Sequence, residues 1–419
     1  MRMRVVIIGN GIAANTAAST VRRLDSQAEV VLVSEERVPL YSACVLADYL
    51  GEEIDRDRVF LKKAADYSEQ GLKTLFDQKA TALDISNKRV FLDTGDITYD
   101  RLIIATGSEP VIPAIDGIDK QGIFTFKSIT DADEVYQYGG KRAVVVGSGP
   151  AGIQVAIALK KRGYRVSLVE LLEHVLPRMF DQYPASLLQN LLEEQNIEVL
   201  TSEKVVRFLG ASAVEAVVTD KRQIECDLVV LAVGMRPRVD LAQQAGVEIG
   251  KLGGIKTDGH MLTSAANVYA CGDCVQVKDR ITGEDSLSLL WHSAKQQGET
   301  AGSNCAGIPK PYPGSLDMTV VNISDTQAVS IGRNLLGLQQ GNVKVIEGYS
   351  KGSYYRLLVS QGVLAGVQLV GQARDAGILL NIMLRKDKLK EIEIALQGQP
   401  VPAAGSWRSK LASRYRMLR

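Results

Sequence analysis

VVIIGNGIAANTAASTVRRL, residues 5–24, decides the fold of this chain. Four β-branched residues, Val5 to Ile8, make a short buried strand. They run into Gly9-x-Gly11-x-x-Ala14 and then an alanine-rich helical stretch. Such a turn sends a parallel strand into a helix whose first N–H groups are free to meet a phosphate. The first glycine permits unusual backbone angles, and the second lets a pyrophosphate approach the backbone. The third position, here Ala14, lets the helix lie close on the strand. The pattern returns in AVVVGSGPAGIQVAIALKKRG, residues 143–163, as Gly147-x-Gly149-x-x-Gly152. One such fingerprint is weak. Two, each with a strand before and a helix after, predict two dinucleotide-binding folds.

The next strand of each unit should end in a carboxylate that accepts ribose hydroxyls. EVVLVSEE ends in Glu35 and Glu36, and YRVSLVE ends in Glu170. A hydrogen bond to a charged acceptor contributes about 1.5–3 kcal/mol. A 2′-phosphate beside Glu170 would meet repulsion, and no basic residue follows until Arg178. The expected cofactor there is therefore NAD(H) rather than NADP(H).

Composition narrows the class. The 419 residues suggest two or three domains with ample cores. A formal net charge of +1 offers no case for nucleic acid or an acidic membrane surface. No apolar run reaches the roughly 18 residues of a membrane span. The start, MRMRVVIIGNG, resembles a signal peptide only until its apolar run stops at Gly9. Five scattered cysteines, an odd number, point to a reducing compartment, read as cytoplasmic.

Three further stretches complete a pattern. YDRLIIATGSEP, residues 99–110, is an apolar strand ending in Ala105-Thr106-Gly107. DLVVLAVGMRP, residues 227–237, repeats that form. NVYACGDC, residues 267–274, delivers Asp273 after a glycine. With these motifs in order, the chain resembles the pyridine-nucleotide-dependent FAD oxidoreductases. That group includes NADH oxidases, coenzyme A disulfide reductases, ferredoxin and rubredoxin reductases, and the apoptosis-inducing-factor group.

The resemblance implies an α/β protein with two Rossmann-like domains, the FAD domain being split by an inserted NAD domain. Residues 1–112 and 240–312 would form the first and 113–239 the second. Residues 313–400 would form a C-terminal α+β interface or dimerisation domain, followed by a basic tail, 401–419. The residues implied for FAD are Gly9, Gly11, Ala13, Ala14, Glu35, Glu36, Ala80, Ala105, Thr106, Gly107 and Asp273. Those implied for NAD are Gly147, Gly149, Gly152, Glu170 and Gly234. Asp273 would hold the flavin ribitol or serve only as a turn residue. The C-terminal domain reads as short strands with turn glycines at 348, 352, 362 and 366, then a helix from Asp375 to Gln397.

Cys44, in YSACVLADYL, has the place of the redox cysteine of coenzyme A disulfide reductases and NADH oxidases. A helix beginning near Ser42 could lower its pKa. Against that, no paired tyrosines occur in GQPVPAAGSW, and the first glycine loop holds Asn10 where NADH peroxidases have histidine. Asp48 and Gln154 stand where relatives place a lysine–glutamate pair. Cys44 is thus either a redox thiol or a small buried residue over the flavin. Cys271 and Cys274 lack the further ligands a metal site needs, so no metal site is expected. His292 would lie near the flavin or serve in packing.

The expected chemistry is hydride transfer between nicotinamide and flavin, which needs placement more than acid–base side chains. With no convincing second redox centre, the electrons would pass to or from an iron–sulfur protein subunit. The segment from Pro39 to Leu61 resembles flavoprotein subunits of such complexes, as in phenylglyoxylate or aldehyde oxidoreductases. The rivals are a free-standing disulfide reductase or NADH oxidase using Cys44, and a redox-sensing interaction module.

Overall fold

The computed structural model describes residues 2–338, 343–350, 352–373, 375–386 and 388. It divides into two compact units. The first comprises Met1–Val111, Lys127–Asp133 and Gly234–Leu316. The second comprises Ile112–Phe126, Glu134–Val233 and the described residues from Asp317 onward. Gly234 and the next five residues therefore pack with the first unit, as does the short stretch Lys127–Asp133.

The first unit is built on a five-stranded parallel sheet. Its order is Val268–Ala270, Arg101–Ile104, Arg4–Ile8, Glu29–Ser34, Leu72–Phe76. The strand carrying the first glycine turn is central, with strands added on both sides, the doubly wound arrangement. Val5, Val6 and Ile7 are fully buried, as strands covered on both faces must be. Helix Ile12–Leu24 packs backbone-close against helix Trp291–Cys305. A Cβ added to Gly298 would lie 2.3 Å from the Ala13 carbonyl oxygen, and one on Gly302 would lie 2.6 Å from that of Ala17. Small residues on both helices make that approach possible.

The second unit repeats the design. Its parallel sheet runs Ile197–Leu200, Arg165–Val169, Arg142–Val146, Leu228–Leu231, Ile123–Thr125. A five-stranded antiparallel sheet follows in the chain, ordered Met318–Ile323, Thr326–Gly332, Val363–Gly371, Ser353–Ser360, Val343–Ser350. Gly352 and Gly362 turn its hairpins with φ of +77° and +76°. Gly348 and Gly366 lie within strands instead. At Gly366 the demand is for space, since an added Cβ would sit 1.9 Å from the Arg333 oxygen. The last described helix is Ala376–Arg385. The expected helix to Gln397 stops there, because Lys386 turns left-handed with φ +54° and Lys388 bridges to Val363. Residue 387 and residues 389–419, with the GQPVPAAGSW segment and the basic tail, lie outside the described residues. Among the described residues no helix is long and apolar enough to cross a membrane.

Candidate functional site

The two glycine turns have the same construction. Gly9 has φ +122° and donates its N–H to Val33 O at 2.8 Å. A Cβ there would stand 2.1 Å from the Ala105 oxygen. Gly147 has φ +101° and donates to Val169 O at 2.8 Å. A Cβ there would stand 2.4 Å from the Ala232 oxygen. Only glycine fits such positions without strain. Gly11 and Gly149 are the N-caps of helices Ile12–Leu24 and Pro150–Lys161, and neither helix has a side-chain cap. A Cβ on either would meet nothing within 4 Å. Each helix therefore points uncapped N–H groups and its positive dipole end into open space, where an anionic pyrophosphate fits. Ala14 and Gly152 sit where the helix meets the strand. Ala14 is fully buried, and a Cβ on Gly152 would be 2.0 Å from the Gly147 oxygen.

The ribose carboxylates differ between the two folds. Val33 and Val169 are equivalent by register, pairing with Ile8 and Val146. Glu170 follows Val169 directly, whereas Ser34 follows Val33. Ser34 is buried and its hydroxyl accepts the Glu36 N–H at 3.1 Å. Glu35 is exposed and pairs with Arg238, which holds its carboxyl below the usual range. Glu36 is half-buried and accepts from the Tyr41 hydroxyl at 3.0 Å, and burial pushes its carboxyl up. The two adjacent glutamates thus face different partners, which their spacing alone could not reveal.

Glu170 is buried. Its Oε2 accepts from the Ser148 N–H at 2.8 Å and hydroxyl at 2.6 Å, and its Oε1 from Leu172 N at 2.9 Å. A carboxylate offers about four acceptor positions, so capacity for a hydroxyl remains.

Asp273 is engaged by two side chains of the first unit. Its Oδ2 accepts from Ser108 Oγ at 2.7 Å and from Lys127 Nζ at 3.2 Å. The turn that carries it is fixed by fully buried Gln297, whose Oε1 accepts the Gly272 N–H at 2.8 Å. Thr106 Oγ1 donates to Arg238 O at 2.6 Å. Gly107 and Gly234 have φ of +73° and +124°. Ala80 begins strand Ala80–Asp84 of the first unit.

Two glycine turns of this construction stand beside the following likenesses to known proteins. Residues 3–298 match the pyridine nucleotide-disulphide oxidoreductases. An NADH oxidase of Methanocaldococcus jannaschii is 34% identical over 398 residues, covering 89% of each chain. The chain belongs to this family. The NADH-dependent phenylglyoxylate dehydrogenase subunit epsilon of Aromatoleum evansii is 27% identical over 95% of each chain. Among solved structures, an NAD-dependent persulfide reductase from A. fulgidus has a TM-score of 0.88 at 28% identity. That match covers 96% of this chain and 80% of the other.

Lys127 is a residue of this family member that the sequence reading passed over. A capping box was the available signal. In Ser128-Ile-Thr-Asp131, Asp131 N donates to Ser128 Oγ at 3.1 Å, while Asp131 Oδ2 accepts from Ser128 N at 3.3 Å. Lys127 N also donates to that carboxylate at 2.8 Å, which fixes the lysine just before the helix.

Cys44 of this oxidoreductase lies on the 3₁₀ turn Ala43–Val45, after Ser42. It is exposed, whereas the helix that follows buries Leu46, Ala47, Tyr49 and Leu50. Partial desolvation by the surrounding protein pushes its thiol up, partly offset by the Ser42 hydrogen bond and the charge of Lys127. The other four cysteines are buried. Burial pushes the Cys274 thiol up to about 11 and those of Cys226 and Cys305 to about 12. One thiol per folded chain should therefore react with a thiol reagent near pH 7, and all five after unfolding. The folded-state rate should rise with pH, since a thiol with a raised pKa is still protonated at pH 7 and the thiolate is the nucleophile. Timed iodoacetamide labelling with mass spectrometry checks both points.

Gln154 Nε2 donates to Asn322 O at 3.0 Å. His292 Nε2 lies 3.0 Å from Leu316 O. Among the described residues, no group of three His, Cys, Asp or Glu side chains could hold a metal ion.

Proposed function

We propose that this chain is an FAD-dependent NADH oxidoreductase that passes electrons to or from an iron–sulfur protein. FAD, when bound, supplies a hydride acceptor that can release electrons singly. The observation that carries the reading is the pair of uncapped glycine-loop helices, each backed by a parallel sheet with carboxylates at its strand ends. In the first unit, Gly9, Gly11, Ala13 and Ala14 would receive the FAD pyrophosphate. Glu36, with Glu35 beside it, would hold the ribose, and the backbone at Ala80 would meet the adenine. Ala105, Thr106 and Gly107 would line the flavin side, where Asp273 would accept from the ribitol. In the second, Gly147, Gly149 and Gly152 would receive the NADH pyrophosphate and Glu170 the ribose. Gly234, where an added Cβ would meet nothing within 4 Å, is the further glycine proposed for the nicotinamide. These residues would bind, orient and exclude water, and none would need to move a proton.

Relatives named as subunits of larger assemblies, the phenylglyoxylate dehydrogenase subunit among them, support the protein partner. A homodimer through the C-terminal sheet and a cytoplasmic location complete the proposal. The experiment is reconstitution with FAD, anaerobic bleaching by NADH, and co-purification from the native source with iron analysis. A fully active lone chain with no iron-containing companion would count against the partner.

Glu170→Gln tests cofactor choice. Removing the charge should weaken NADH and relieve repulsion of a 2′-phosphate. The ratio of kcat/KM for NADH over NADPH should fall by about ten-fold or more. An unchanged ratio would refute the role of Glu170.

The likeness to a persulfide reductase favours a second reading, a disulfide or persulfide reductase using Cys44. Cys44→Ser separates the two: loss of disulfide reductase turnover and of a long-wavelength charge-transfer band would support this reading.

A further inference from the structure

Asp181 breaks a local rule. It is the N-cap of helix Gln182–Glu194, where an aspartate ordinarily accepts from the helix's own first N–H groups, yet it makes no side-chain cap bond. Its buried carboxylate is turned instead to the C-terminal sheet. Oδ2 accepts from Arg356 Nε and from Gln368 Nε2, each at 2.9 Å, and Oδ1 accepts from Leu335 N at 2.9 Å. Asp181 N donates to Gln368 Oε1 at 2.9 Å. Two further donors hold the residues just before it. Ser330 Oγ donates to Met179 O at 2.9 Å, and Asn334 Nδ2 to Pro177 O at 2.9 Å. Next in line is Leu176, buried with φ +52°, a conformation that a leucine keeps only when its surroundings impose it. Its N–H donates to Ser148 O at 3.1 Å, inside the second glycine turn. Ser148 in turn donates twice to Glu170.

A continuous run of hydrogen bonds and short backbone steps therefore leads from Arg356 and Gln368 to the glycine turn and its carboxylate. We infer that this latch is a positioning device for the pyridine-nucleotide site. The C-terminal sheet, through Asp181, sets segment 171–181 and with it the placement of Ser148 and Glu170. The inference rests on reading the second cradle as the NADH site. A buried ion pair is weak evidence for stability as such. One whose every oxygen is used, at a position where the local helix would profit from the same carboxylate, makes better sense as a fixture of geometry. The helix gives up its cap, and Leu176 is held in a left-handed turn that reaches Ser148.

The test uses the full FAD-loaded chain. Dissociation constants for NADH and for ADP-ribose are measured with FAD content and melting temperature in the parent, Ser330→Ala, Asn334→Ala, Arg356→Gln and Arg356→Lys. The expected result is an NADH constant raised about two- to thirty-fold in the Ala and Gln variants, with ADP-ribose weakened in parallel. KM should rise more than kcat falls, FAD content should hold, and Arg356→Lys should fall between parent and Arg356→Gln. If Arg356→Gln does not fold, Asn334→Ala decides, since it removes one neutral hydrogen bond. Unchanged NADH and ADP-ribose constants in folded variants with lowered melting temperatures would reduce the latch to a structural tie and overturn the inference. Failure of the parent itself to bind NADH would overturn the reading of the second cradle, and this inference with it.

Discussion

Gly147→Val is expected to leave a folded, yellow protein that NADH no longer reduces. Gly147 has φ +101°, a region where a β-branched residue is an outlier. A Cβ there would stand 2.4 Å from the Ala232 oxygen and 2.8 Å from its carbon. Backbone strain of about 1–3 kcal/mol adds to overpacking of about 1–3 kcal/mol. Both are relieved by opening the turn that sets Gly149 and the uncapped end of helix Pro150–Lys161. The rate of flavin bleaching at fixed NADH should drop about 100-fold or more. FAD should stay bound, because its proposed residues belong to the other unit. Stopped-flow absorbance and a flavin count per chain check both halves. A normal bleaching rate would remove the second turn from the NADH site.

Asp273→Ala is expected to strip the flavin. Asp273 accepts from Ser108 Oγ and Lys127 Nζ and is the carboxylate proposed to meet the ribitol. A hydrogen bond to a charged acceptor contributes about 1.5–3 kcal/mol, so its loss should weaken FAD about ten- to 150-fold. The variant should purify pale and take up added FAD only at higher concentration, as read by equilibrium dialysis. Asp273→Asn keeps one acceptor oxygen and should lie between the two. FAD held as tightly by Asp273→Ala as by the parent would reduce Asp273 to a turn residue.

Both glycine turns were legible in the sequence because backbone geometry there depends on what a residue lacks. Gly9 and Gly147 have no Cβ to strike a carbonyl, and the strands before them are apolar on both faces. Such constraints act within a few residues and leave a fixed spacing. Partners chosen across the fold leave no such trace. The register that puts Ser34 at the place of Glu170 comes from strand pairing, and the engagement of Glu35 by Arg238 joins residues some two hundred apart. Cys44 reads in the sequence as a redox thiol or as a small buried residue over the flavin, and its exposure in the chain favours neither. Which residues of the short helix Leu46–Leu50 meet the core was not legible, since five residues carry too little periodicity to reveal that. Lys127 had a local signal in its capping box, but its approach to Asp273 did not. The turn glycines at 352 and 362 were legible as hairpin punctuation. Gly366 has the same letter for a different reason, a neighbouring carbonyl.

The first unit is discontinuous, and this bears on how the protein is made. Strand Arg101–Ile104 finds one neighbour in Arg4–Ile8 but its other, Val268–Ala270, only much later in the chain. At common rates of translation the interval is on the order of ten to thirty seconds. Throughout it the nascent sheet presents an unpaired apolar edge, open to association with other chains. Biogenesis, rather than the finished protein, is then the stage most dependent on chaperones, and slowing the ribosome between these strands should lower soluble yield.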